Sequence, residues 1–215
     1  MKRFFNILFK IILILTIAIC GVVIFFNVTH IYYQVKGPSM APTLNSGVEG
    51  QETVKDYVFV SKIKGYGRGD IIVLKKEDEN KDIIKRVIAV GGDKLKIENI
   101  NGYNRIVIIF AGESQSRVLD EPYLPSYDAN EYILDYFNGL LNNESLNINA
   151  DENGFVTIPE NEIFFLGDNR SRSDDSLDSN FTAPVSNVVG KVDYIVYGGE
   201  NPIWQVISQI FGGGK

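Results

Sequence analysis

The sequence predicts a mostly β fold: an antiparallel strand core of barrel or sandwich type, with a small acidic inserted lobe, preceded by one transmembrane helix. Three observations carry that expectation. An apolar run without Asp, Glu, Lys or Arg extends from Ile11 to Val35. Short β-branched stretches separated by glycine turns follow it, the spacing of an antiparallel barrel or sandwich. Between about residues 112 and 154 an acidic stretch interrupted by Pro122 and Pro125 breaks that rhythm.

The N-terminal run comes first. About 20 apolar residues cross a bilayer as a helix, and the run supplies them. Residues 1–10 carry Lys2, Arg3 and Lys10, which places the N-terminus in the cytoplasm, the span at 11–33 and residues 34–215 on the extracytoplasmic side. Tyr32 and Tyr33 are then aromatic anchors at the far interface. A cleavable signal peptide fits less well, because the run exceeds the usual apolar core of about 7–15 residues and no Ala-x-Ala site follows. A lipoprotein signal at "TIAIC" meets Ile19 where a small residue should precede Cys20. His30 falls at the membrane exit, where a polar interfacial residue is the ordinary expectation.

Beyond Val35, "YVFVSKI", "DIIVLKK", "DIIKRVIAV", "DKLKIENI", "NRIVIIF", "GFVTI", "EIFFLGD" and "VVGKVDYIVYG" read as strands, with "GYGRGD", "GGD" and "NG" as turns. Within the acidic stretch, "DANEYILDYFNGLL" has the spacing of a short helix starting near Asp128. The tail "NPIWQVISQIFGGGK" holds the only tryptophan, Trp204, among apolar residues that suit core packing or, alternatively, a membrane-touching patch.

Composition narrows the function. At 215 residues and 45% hydrophobic, the chain suits one domain with a real core, and its net charge of −6 argues against a nucleic-acid partner. Cys20 is the only cysteine, so no intramolecular disulfide forms. With His30 as the only histidine, a Ser-His-Asp triad lacks its base and a tetrahedral zinc site lacks its ligands. No phosphate or dinucleotide fingerprint opens a helix, so neither cofactor nor metal is expected. A serine nucleophile is left with a lysine base. Free lysine is protonated at neutral pH, but burial among apolar groups disfavours the ammonium and frees the lone pair. Lys85 in "DIIKRVIAV" has the flanks for this: alternation sets it on one face with Ile83 and Val87, with Ile84 and Arg86 on the other. Taken alone, such a lysine is more simply read as snorkelling to solvent, and Ser39 in "KGPSMAPTL" as a turn serine.

Three stretches in order, "GPSMAPTL", "RGDIIVLK…DIIKRVIAVGGD" and "FFLGDNRSRSDDS", resemble the motifs of type I signal peptidases, the membrane-bound Ser/Lys leader peptidases, over most of the chain from Val35 to Val192. The resemblance implies Ser39 as nucleophile and Lys85 as general base. It implies Ser173 as a hydrogen-bonding partner of that lysine, Asp168 and Arg86 as a supporting charged pair, and Asp175 as a second supporting carboxylate. Val35, Ile83, Ile84 and Met40 are implied to line shallow pockets for small residues of a secretory preprotein, outside a bacterial cytoplasmic membrane whose lipid holds the anchor.

Two departures stand out. Gly37 occupies the position where some family members have a serine that donates to the oxyanion, a feature shared with the Gram-positive branch. Leu177 stands where an arginine partner of Asp175 is common, which leaves Arg170 or Arg172 as substitutes. Two other readings compete: a catalytically inactive relative serving surface-structure (pilus) assembly, and a self-cleaving repressor-type protease. Retention of Ser39 and Lys85 disfavours the first, and a membrane span in place of a DNA-binding domain disfavours the second.

Overall fold

The structure, a computed structural model, describes residues 1–45, 55–76, 80–178 and 180–198. The tail around Trp204 lies outside the described residues. Helix α1 (Lys2–Thr29) exposes its apolar side chains along its length and is long and apolar enough to cross a membrane. The helix ends at Thr29, and His30–Gln34, most of which the sequence assigns to the span, forms strand β1. Apolar character continues through both elements, so composition does not mark the change.

The helix exit is clasped to the strand core. Lys62 donates its N–H to the Thr29 carbonyl at 2.9 Å, and the His30 ring stacks on Phe26 with Nε2 3.3 Å from Asp193. The only histidine is thus spent on this joint.

Ten further strands follow: β2 (Tyr57–Ser61), β3 (Ile71–Lys76), β4 (Lys81–Val90), β5 (Lys94–Ile100), β6 (Tyr103–Ile109), β7 (Arg117–Val118), β8 (Val156–Thr157), β9 (Glu162–Leu166), β10 (Ala183–Pro184) and β11 (Val188–Val196). All described pairings are antiparallel, in a seven-stranded sheet ordered β1-β2-β11-β3-β4-β9-β10 and a four-stranded sheet ordered β7-β6-β5-β8. The mostly β, antiparallel class expected from the alternating stretches is the class observed.

The acidic stretch is less separate than its composition suggests. Helix α2 (Ile133–Leu141) buries Ile133, Phe137 and Leu140 in the core cluster that also holds Leu95, Ile106, Phe164 and Leu166 from both sheets. The helix begins later than Asp128, because a 3-10 turn (Tyr127–Asn130) comes first and the Asn130 side chain is engaged elsewhere.

Candidate active site

Strand β4 is the backbone of the site. It pairs with β3 from Lys81 to Arg86, but β9 reaches only back to Arg86, opposite Leu166. After Leu166 the chain turns away, so Asp82–Lys85 has one edge that no described strand covers. The loop bearing Ser39 enters the gap this creates.

Lys85 lies directly opposite Ile72, on the face it shares with the buried Val87, as alternation predicts. Its residue is only 3% exposed. Its Nζ donates to Ser39 Oγ at 3.0 Å and to the Ile84 carbonyl at 3.1 Å. Burial lowers the ammonium's pKa from the ordinary lysine value; Asp175 and Asp174 oppose this, while Lys81 and Lys76 add to it.

The Ser39 loop is fixed from behind. The Ser39 carbonyl accepts from the Asn169 N–H at 3.0 Å, and the Asn169 side chain donates to the Pro38 carbonyl at 3.1 Å. Gly167 packs so closely that a Cβ there would lie 2.4 Å from the Ser39 carbonyl oxygen and 2.2 Å from Ser173 Oγ. Only glycine fits. Met40, Leu44 and Val35 of the same loop anchor it in a second buried cluster with Val58, Val60 and Val73. Gly37, two residues before the serine, has φ +80°, a left-handed conformation that favours glycine over any residue with a side chain.

The charged pair sits one residue along β4. Arg86 donates to both Asp168 oxygens, at 2.8 and 2.6 Å, and to the Gly69 carbonyl at 2.7 Å. Thr43, four residues past the serine, also donates to Asp168.

Two sequence expectations meet a different arrangement. Among the described residues the buried Ser173 hydroxyl has no hydrogen-bond partner, so it makes no bond to Lys85 here. Arg170 acts on Asp175 through its charge rather than through a direct hydrogen bond among the described residues. That carboxylate instead accepts from the backbone N–H groups of Gly167 (2.9 Å) and Leu177 (3.2 Å). Burial raises its pKa, while the Gly167 amide, the nearby Ser173 hydroxyl and the Leu177 amide lower it, with the rise prevailing. Arg170 turns to Glu121.

Val35, Met40, Ile83 and Ile84 do come together. With Tyr33, Lys36, Ser39, Val73 and Lys85 they line a cleft of about 630 Å³. Across it the Tyr33 hydroxyl donates to Asp82 at 2.8 Å, joining β1 to β4. Tyr33, read as a membrane anchor, is thus part of the cleft. Among the described residues no cluster of His, Cys, Asp and Glu could hold a metal ion.

A serine hydroxyl bonded to a buried amine, beside an open strand edge and an apolar cleft, has the components of a peptide-bond hydrolase. Comparison with known proteins agrees. The family model "Signal peptidase, peptidase S26" matches residues 6–197. The chain belongs to that family. It is 34% identical to Signal peptidase IB of Staphylococcus aureus over 186 residues, 84% of this chain and 86% of that protein. To Signal peptidase I of Streptococcus pneumoniae it is 31% identical over 164 residues, 66% of this chain and 71% of the other. A crystal structure of a signal peptidase I from Enterococcus faecalis V583 matches at 23% identity, with 61% of this chain and 99% of that one covered and a TM-score of 0.38.

Proposed function

We propose that this S26-family chain removes signal peptides with Ser39 as nucleophile and Lys85, in its neutral form, as general base. The 3.0 Å contact between Lys85 Nζ and Ser39 Oγ carries the reading. Neutral Lys85 takes the hydroxyl proton as Oγ attacks the scissile carbonyl carbon, and the resulting ammonium returns that proton to the departing amine. That amine is the new N-terminus of the mature protein; water, deprotonated in turn by Lys85, then attacks the Ser39 ester, and its collapse releases the signal peptide as a free carboxylate while Lys85 returns the proton to Ser39 Oγ. The backbone N–H of Ser39 donates to the developing oxyanion. It is left without an acceptor among the described residues. Ser173 is a positioning residue whose unspent hydroxyl orients the lysine once a substrate tightens the site.

The substrate adds as a strand to the uncovered edge of Asp82–Lys85. Val35, Met40, Ile83 and Ile84 then form shallow walls that accept methyl-sized side chains before the cut and exclude larger ones. Helix α1 anchors the chain in a bacterial cytoplasmic membrane with its three N-terminal cations inside. The catalytic portion, from about residue 34, lies outside, with the acidic stretch at about 112–154 as its inserted lobe and membrane lipid and secretory preproteins as its partners. The Ser39 to Lys85 contact disfavours the inactive pilus-assembly reading.

A preprotein cleavage assay on the detergent-solubilised full chain tests this. Ser39→Ala and Lys85→Met should each abolish cleavage, and full activity in either variant would sink the assignment.

A further inference from the structure

The acidic stretch holds a turn, Glu121-Pro122-Tyr123, that the reaction as described leaves unused, yet it touches both halves of the site. Glu121 and Arg170 form an ion pair whose side chains are 4% and 2% exposed. Tyr123 donates its hydroxyl to Glu121 Oε1 at 2.9 Å, and Asn130 donates to Oε2 at 3.0 Å. Asn130 also accepts from Arg170. Every polar atom of the Glu121 carboxylate is therefore engaged, and the cluster is closed.

What leaves the cluster reaches the reacting groups. Arg170 Nε donates to the Gly167 carbonyl at 3.1 Å, and Gly167 is the residue wedged against the Ser39 carbonyl and Ser173 Oγ. On the other side the Arg86 guanidinium lies 3.9 Å over the Tyr123 ring, and Arg86 follows Lys85 on β4. One turn thus supports the serine through Arg170 and the lysine strand through Arg86.

We infer that Glu121 and Tyr123 are positioning residues of this reaction, holding Ser39 and Lys85 in register through the two arginines. The inference rests on the dyad reading above. An ion pair serving stability alone is replaceable by apolar side chains of similar volume without loss, and often with gain. A pair that also sets the Gly167 carbonyl is not, because a displacement of about 1 Å at the reacting atoms costs roughly 10²-fold in rate.

The test uses the double variant Glu121→Leu/Arg170→Met, which removes both buried charges together, and Tyr123→Leu, which leaves the ion pair in place. Thermal unfolding of the full chain in detergent, and kcat and KM on a signal-peptide substrate, are measured for each. The expected result is a folded double variant with kcat lower by on the order of 10²-fold and KM within about twofold, and a smaller kcat loss in Tyr123→Leu. Glu121→Gln, which keeps two polar atoms for the cluster, should recover part of kcat. A folded double variant with wild-type kcat overturns the inference, as does a loss confined to KM. If the double variant fails to fold, Tyr123→Leu decides: a folded protein with unchanged kcat overturns the inference. Failure of the dyad reading shows separately, as cleavage surviving in Ser39→Ala.

Discussion

Lys85 and Arg86 are neighbours on one strand, and the fold treats their charges in opposite ways. Lys85 faces the apolar side of β4, opposite Ile72, and donates to a hydroxyl and a carbonyl. Arg86 faces the other way and meets Asp168 with two hydrogen bonds, an ion pair with side chains only 11% and 0% exposed. Desolvation that outweighs the pull of carboxylates not hydrogen-bonded to it pushes a cation toward neutrality, whereas a bidentate carboxylate keeps one charged. The period of two that separates their faces makes one cation a base and its neighbour a strut.

The largest test of that contrast gives Lys85 the chemistry of its neighbour. Lys85→Arg places a guanidinium that does not deprotonate in proteins where a neutral amine is required. Cleavage should fall by on the order of 10²–10⁴-fold at every pH, measured as kcat/KM on a preprotein. Lys85→Met is equally inactive but should unfold at a higher temperature near neutral pH. The sign follows from the lowered pKa: the unfolded chain holds the Lys85 proton more tightly than the folded one. The resulting penalty is full below the folded pKa and disappears above the unfolded value. Methionine removes it.

Arg86 answers differently. Arg86→Met leaves the buried Asp168 carboxylate without its cation, which costs about 3–5 kcal/mol of stability. Chemical denaturation should show this loss. Arg86→Met/Asp168→Leu should regain most of it, because the uncompensated charge goes with its partner. Stability recovered without the corresponding activity would mark Arg86 as a positioning group as well as a structural one.

How far this contrast could be read in advance depends on which forces act locally. The faces of Lys85 and Arg86 follow from alternation within "DIIKRVIAV", and the eight strand stretches named from sequence all contain a strand. Those are short-range patterns. Strand β1 was hidden because His30–Gln34 continues the apolar character of the helix before it. The hydrogen-bond donors to Asp175 are two backbone amides, which side-chain identity does not encode. The Glu121 to Arg170 pair joins residues 49 apart, in stretches whose charges look solvated, and no periodicity relates them. The late start of α2 has the same origin, since Asn130 is drawn into that cluster.

A smaller effect sharpens the contrast from the Lys85 side. Asp175 and Asp174 both favour the ammonium, so each raises the Lys85 pKa against the larger effect of burial. Removing either charge should lower that pKa further. Because the neutral amine is the working form, the acid limb of kcat/KM should move to lower pH in Asp175→Asn. Movement to higher pH would mean that the limb reports another group. Asp174→Asn should move the limb the same way by less, because its side chain is 51% exposed and water screens it. Asp174 also pairs with Lys76, itself a cation that pushes Lys85 down, so the variant leaves that push less compensated and the two changes share a sign. Raising the ionic strength should therefore shrink the Asp174→Asn shift while leaving most of the Asp175→Asn shift, since Asp175 is only 5% exposed.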